Sequence, residues 1–189
     1  MRYLPILSLL AFAAPAAAKP STWDLDPTHS TATFSVKHMM VTNVRGEFGK
    51  LTGTVVYDPE NIPASTVEAA VDPATVDTRE PKRDGHLKSP DFFDVAKFPT
   101  LTFKSKTVAK GKLTGDLTIH GVTKEVTFDV IGPTPPVKGM DGKMRSGAQA
   151  MGKISRKDFG LNWNKALEAG GVLVGDEVSI LLDIELKQR

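Results

Sequence analysis

From Lys19 to its end the chain alternates. Apolar and polar side chains trade places residue by residue in one segment after another. A period of two puts every apolar member of a segment on the same face of an extended strand. Between Ser30 and Val41, Ala32, Phe34, Val36, His38 and Met40 share one parity, and Thr31, Thr33, Ser35, Lys37 and Met39 share the other. Trp23 and Leu25 open a short strand ahead of it. The pattern returns at Leu51–Tyr57 with Val55, and at Val67, Ala69 and Val71. It continues at Leu101 and Phe103, then at Leu113, Leu117 and Ile119, and at Val122, Val126, Phe128 and Val130. Further on come Ala148, Ala150, Gly152 and Ile154, then Phe159, Leu161 and Trp163. The last strand carries Val178, Ile180, Leu182, Ile184 and Leu186. His120-Gly121 between two alternating runs reads as a hairpin turn, and Gly132 to Ser146 reads as a Pro/Gly-rich loop.

No segment has the length and period of an amphipathic helix able to cover a sheet. Strands that are apolar on one side only must then close on themselves or pair with a second sheet. About eight of them make an all-β, antiparallel up-and-down barrel with room inside for side chains or one small ligand. Its interior would be lined by Phe34, Val36, Met40, Val55, Phe103, Leu117, Ile119, Phe128, Ile154, Ile180 and Leu182. Several inward positions are small: Gly53, Ala69, Gly115, Ala148, Ala150 and Gly152. Either they leave volume for a ligand, or the glycines mark bulges and bends.

One stretch breaks the rhythm, Asp77 to Ser105. Its first half is charged, and Thr78 to Ser89 suits a helical turn or two, with Pro81 in the first turn. Its second half brings Phe92, Phe93, Phe98 and Phe103. Such a crossover is either a lid over an apolar interior, with Leu87, Phe92 and Phe93 against the ligand, or a plug for one end of a core.

Composition narrows the chemistry. There is no cysteine, which removes thiolate catalysis, disulfides and Cys-ligated metals. Arg2, the apolar run Tyr3–Ala14, Pro15 and Ala16-Ala17-Ala18 read as an export signal with an A-x-A cleavage site. The expectation is a periplasmic protein whose mature domain is 19–189, with no membrane-spanning segment. Without Arg2 the chain has 23 Lys+Arg against 22 Asp+Glu, too balanced for a basic field that would attract nucleic acid. There is no phosphate-binding glycine loop, no nucleophile elbow and no H-E-x-x-H. The four histidines are not spaced as metal ligands, so no metal, cofactor or catalytic residue is expected. His38 stands out on an apolar face. It is either a satisfied core imidazole or a polar contact for a ligand head group. Arg79, Arg83, His86 and Lys88 on the crossover, joined by Arg156, are the other candidates for a cationic mouth; the alternative is a solvated surface.

The motifs occur in a recognisable order. W-x-L-D-x-x-H-S spans Trp23 to Ser30, F-x-V-x-H-M spans Phe34 to Met39, and G-x-F spans Gly46 to Phe48. D-x-R falls at Asp77–Arg79, H-L-x-S-x-D-F-F-D at His86–Asp94, and F-P-x-L-x-F-x-S at Phe98–Ser105. G-D-L-T-I-H-G-V-T-K-x-V at Gly115–Val126 and R-x-D-F-G-L at Arg156–Leu161 complete the series. Together they resemble the YceI-like family of periplasmic polyisoprenoid-binding proteins. The resemblance implies an extended, lipocalin-like, eight-stranded antiparallel barrel with a short helical crossover. It also implies an elongated pocket for a long amphiphile such as a polyprenyl phosphate, a ubiquinone-like quinone or a fatty amide. A homodimer is a further implication. No enzymatic residues follow from the resemblance. Beside the binding protein stand two alternatives: an enzyme acting on such a lipid with His38 or His86 as base, or a barrel that docks to a membrane redox or lipid-pathway partner to deliver quinone.

Overall fold

The computed structural model describes residues 19–168 and 170–189; the export-signal reading falls on residues outside these. The strands are β1 (Ser21–Leu25), β2 (Thr31–His38), β3 (Thr42–Phe48), β4 (Thr52–Tyr57), β5 (Thr66–Val71), β6 (Leu101–Ala109), β7 (Lys112–Ile119), β8 (Val122–Ile131), β9 (Val137–Lys138), β10 (Met144–Ser155) and β11 (Val174–Gln188). One helix, α1 (Pro81–Lys88), sits in the crossover from β5 to β6. All strand pairings are antiparallel. Following neighbours from β11 through β1, β4, β5, β6, β7, β8 and β10 returns to β11, which closes an eight-stranded barrel.

The closing strand is the longest, at 15 residues. One edge pairs with β10 from Glu177 to Lys187. The other edge is shared: Val174 to Asp183 pair with β2, and Leu186 to Gln188 pair with β1. The chain between β1 and β2 stays attached where the partners change. Asp26 donates its N–H to the Glu185 carbonyl at 2.8 Å, and the Glu185 N–H donates to Ser30 Oγ at 3.0 Å. The β2–β3 hairpin therefore stands outside the eight-strand circuit as an extension of the wall. Its outer edge is tied by reciprocal backbone bonds between Glu47 and Asp77.

Strand β3 was not legible as a strand. Its inward parity offers Val44, Gly46 and Phe48, and the glycine weakens the alternation. Gly46 is required by packing, because an added Cβ would collide with the Phe34 ring and lie 2.7 Å from Thr78 Cγ2. The predicted alternation at Phe159–Trp163 instead begins in a 3-10 turn (Arg156–Phe159), which ends at Gly160 with φ 78°. The predicted loop Gly132–Ser146 contains β9 and the start of β10.

The small inward residues divide into two kinds. At Gly53 and Gly115 a Cβ would strike the backbone carbonyls of Glu68 and Lys104, and at Gly152 it would meet the Phe128 ring at 2.7 Å. These glycines allow neighbouring strands and rings to approach closely and do not open space. Ala69, Ala148 and Ala150 do border empty volume.

Part of the barrel interior is filled by side chains. Trp23, Leu25, Ala32, Phe48, Leu51, Val76, Phe93, Leu101, Ile119, Phe159, Leu161 and Leu186 form a continuous buried cluster. The crossover supplies part of it. Phe93 packs edge-on to Phe48 at 5.5 Å, and Phe48 meets Phe34 at 5.4 Å. Helix α1 starts as its sequence requires, with Glu80 as N-cap accepting from the Lys82 N–H and Pro81 in the first turn. Buried Thr78 anchors it further. Thr78 Oγ1 donates to Asp84 Oδ1 and accepts from Arg83 Nε.

Candidate functional site

Beside this cluster the barrel is hollow, and most of the cluster's residues border the empty space. A cavity of about 1150 Å³ extends along the inside, above the range of about 300–1,000 Å³ common for small-molecule pockets. Its wall includes Phe34, Val36, Val55, Phe103, Leu117, Ile119, Phe128, Ile154, Ile180 and Leu182, all expected from alternation. Leu87, Phe92 and Phe93 border it as well. The crossover thus plugs the core with Phe93 while the same segment faces the cavity. At the far end the wall is made by Val108 to Leu113 and by Gly132 to Pro136.

The end beside α1 is built from three separate segments. The His86 ring lies edge-on to Phe92 at 5.0 Å and to Trp163 at 4.7 Å, and its Nε2 is 2.8 Å from Asp91 Oδ2. Next to Trp163, the Asn164 side chain donates to the Val174 carbonyl at 2.7 Å and accepts from the Val174 N–H at 3.0 Å. Val174 in turn pairs with His38 on β2. Lys37, Glu80, Lys82 and Arg83 complete this rim. Among the described residues no carboxylate lies within 4.0 Å of Lys37 or Lys82. The rim is therefore cationic, with Glu80 the one carboxylate among the residues that border the cavity there. Lys37 and Lys82 were missed because each belongs to the polar side of its element, and only the strand-to-helix juxtaposition brings them to one opening.

Three expected site residues are placed differently. Met40 does not line the cavity. The strand stops at His38, and Met39-Met40 form a turn with φ 52° and 60°, which leaves Met40 outside. Arg79 also lies off the cavity. It is exposed at φ 64°, with its N–H donating to Asp77 Oδ1 at 2.7 Å. Arg156 borders the cavity but is not a free cation. It is only 3% exposed, and its guanidinium donates to the carbonyls of Leu161, Trp163, Val174 and Gly175 and pairs with Asp176 at 3.3 Å. Burial draws its pKa down, opposed by the Asp176 charge. Its role is to tie the 156–176 segment together. His38 and His86 do face the cavity rim.

Asp26, His29 and Glu185 place ligand-type atoms within 4.8 Å of one another. The charge there is already balanced, since Arg145 Nη1 lies 2.7 Å from both Asp26 Oδ2 and Glu185 Oε1. Hydrogen bonds from Thr28, first its hydroxyl, and then from Arg145 hold the Asp26 carboxyl well below the usual carboxylate range, against the opposing cost of its desolvation. This cluster is a clamp across the β1–β2 connection, and the donor set does not favour a cation.

The outer wall is polar. Lys104 pairs with Glu68, Lys106 with Asp116 and with Glu125 one strand further on, and Lys153 with Glu177. A barrel that crosses a bilayer presents the opposite polarity. No helix among the described residues is long and apolar enough to cross a membrane.

A closed barrel with a polar exterior, an apolar interior and a charged rim belongs to the class of small antiparallel β-barrels with room for one ligand inside. The family model of the YceI-like domain matches residues 23–186. A UPF0312 protein of Staphylococcus aureus (strain N315) is 39% identical over 158 residues, covering 84% of this chain and 92% of that protein. The chain belongs to the YceI-like family. Among solved structures it is similar to a YCEI protein of Campylobacter jejuni (TM-score 0.65, 30% identity, 81% of this chain and 90% of that one). It is also similar to Burkholderia cenocepacia BcnA (TM-score 0.71, 23% identity, 85% and 98%). A polyisoprenoid binding domain from Saccharophagus degradans, implicated in plant cell wall breakdown, shares the fold (TM-score 0.64, 16% identity, 88% and 98%).

Proposed function

We propose that this protein is an exported carrier that sequesters the tail of a long isoprenoid lipid inside its barrel and keeps the polar head at the rim formed by Lys37, His38, Lys82, Arg83 and His86. The observation that carries this reading is the apolar cavity of about 1150 Å³. Taking about 30 Å³ per carbon-sized group, the share of a water molecule in the liquid, it holds on the order of 40 such groups, or seven to eight isoprene units. Each buried methylene-sized group contributes about 0.8 kcal/mol. The gross gain is large even after the cost of ordering the tail. The polyisoprenoid-binding domain among the fold relatives points the same way. The reading is one of binding and not of turnover. The His86 ring, whose Nε2 meets Asp91, lies edge-on to Phe92 and to Trp163, where it shapes the wall.

The test is native mass spectrometry, with solvent extraction, of protein purified from its own host. A co-purifying molecule with a long unsaturated tail is the expected result. Protein that emerges empty and fails to take up added polyprenyl phosphate or quinone overturns the reading.

A further inference from the structure

The β2–β3 hairpin ends in three consecutive exposed apolar side chains. Met39 is 44% exposed, Met40 61% and Val41 81%. Val172, 38% exposed, joins them from the opposite segment, because the Met39 N–H donates to the Leu173 carbonyl at 2.8 Å. Among the described residues nothing covers this tip, and the local sequence is unfavourable for it. Met39 and Met40 both lie in the left-handed region, and the Val41 N–H closes the turn on the His38 carbonyl at 3.0 Å. A turn with two left-handed central residues is best served by Asn-Gly. Two long apolar residues there are both strained and exposed. A local rule broken at an exposed position without compensation inside the fold points to a role outside it.

We infer that the Met39–Val41 tip is a membrane-docking wedge that inserts among the head groups of an anionic bilayer and sets the cavity rim against the lipid surface. Three observations select this occupant. The tip is contiguous with the rim, since His38, Leu173 and Val174 border the cavity next to it. A tail leaving the barrel there would pass into lipid without crossing water. Cations stand on the strands and the segment that adjoin the tip. Lys37, Arg45, Lys82 and Lys165 are exposed or on the rim, and no carboxylate lies within 4.0 Å of any of them among the described residues. Glu168 lies on the facing segment, and Asp176, just beyond Val174, is already paired with Arg156 and Lys157. Basic groups around an inserted apolar tip match an anionic lipid surface. Finally, a few protruding side chains are far too little for a stable protein interface, which buries about 1,200 Å² or more, but suffice for shallow insertion into a bilayer. The inference goes beyond the carrier reading and is tested separately from it.

The experiment is flotation of the purified mature chain with phosphatidylglycerol-containing vesicles and with pure phosphatidylcholine vesicles. Wild type should float with the anionic vesicles and detach as salt rises. A variant combining Met39→Asn, Met40→Gly and Val41→Ser should lose about tenfold to a hundredfold in partitioning. It should melt no lower than wild type, because the turn is now suited to its backbone, and it should retain any co-purified lipid. A Val137→Ser, Met140→Ser variant alters exposed apolar residues on the other side of the barrel, in the 132–146 segment, and should float as wild type does. Wild type that floats with neither vesicle, or a tip variant that floats unchanged, overturns the proposal. A tip variant that only changes oligomeric mass also overturns it and makes the tip a contact between copies. Vesicle binding by protein that emerges empty and takes up no added polyprenyl phosphate or quinone would sink the carrier reading and leave the docking surface standing.

Discussion

Replacing Ala148 by Phe tests whether a tail occupies the hollow of the barrel. Ala148 lies on β10 opposite Ile184 and faces the cavity. The substitution adds six carbon-sized groups. At about 30 Å³ each they fill about 180 Å³, or about one sixth of the 1150 Å³ available. That is slightly more than one isoprene unit of five carbons. Excluding one unit removes about 4 kcal/mol of gross burial at about 0.8 kcal/mol per group. This sets a ceiling of about a thousandfold on the loss of affinity; relaxation of the tail lowers the expected loss to between about tenfold and a hundredfold. A probe one isoprene unit shorter should bind the variant within about threefold of its affinity for wild type. Ala69→Phe places the same block opposite Phe103 on another wall and should act in the same direction. The assay is displacement of a fluorescent prenyl probe by prenols of increasing length, with a thermal melt of each variant. Filling a void should not lower the melting temperature. If both variants melt as wild type does and bind every chain length unchanged, no tail runs through this space.

Other consequences concern the frame. Arg156→Met should destabilise by about 3–5 kcal/mol in urea titrations, because the carbonyls of Leu161, Trp163, Val174 and Gly175 lose a buried donor. Arg156→Lys should recover only part of this, since an ammonium cannot reproduce the fork; full stability in Arg156→Met would return that residue to the list of head-group ligands. Gly115→Ala should cost about 2–3 kcal/mol, because the new methyl strikes the Lys104 carbonyl and lies 2.8 Å from Ser105 Cα. Gly85→Ala, in α1 with nothing within 4 Å of the new methyl, should stabilise by about 0.5–1 kcal/mol; equal effects at the two sites would contradict the packing described. The depressed Asp26 carboxyl favours the folded state above the unfolded value of about 3.9. That contribution is complete above about pH 5 and fades as pH falls through 3.9 towards the lower folded value. Asp26→Asn should therefore lower stability at neutral pH and flatten the acid limb of stability against pH. An unchanged limb would mean that the Thr28–Asp26–Arg145 clamp is not formed in solution.

Alternation made the barrel and most of its interior readable, because in a strand sequence parity and spatial face are the same fact. Phe34, Val36, Val55, Phe103, Leu117, Ile119, Phe128, Ile154, Ile180 and Leu182 all border the cavity for that reason. Parity does not say where a strand stops. Met40 continued the pattern of β2 and yet lies in the turn, since nothing in Met39-Met40 signals a left-handed bend. Nor does it say what a missing side chain faces: Gly53 and Gly115 admit a neighbouring backbone, whereas Ala148 and Ala69 border space.

The sequence by itself determined a closed, single-sided sheet with an apolar interior and a charged, aromatic crossover, because these depend on periods and residue types along the chain. Only the tertiary structure decided which cations reach the rim. Lys37 on β2 and Lys82 and Arg83 on α1 meet because β11 holds β2 as an extension of the wall beside the helix. Only it decided that Arg156 is occupied, since its partners come from residues 161–176 folding back over it. A charge has no fixed period, and its role follows from the groups that long-range closure brings within hydrogen-bond reach.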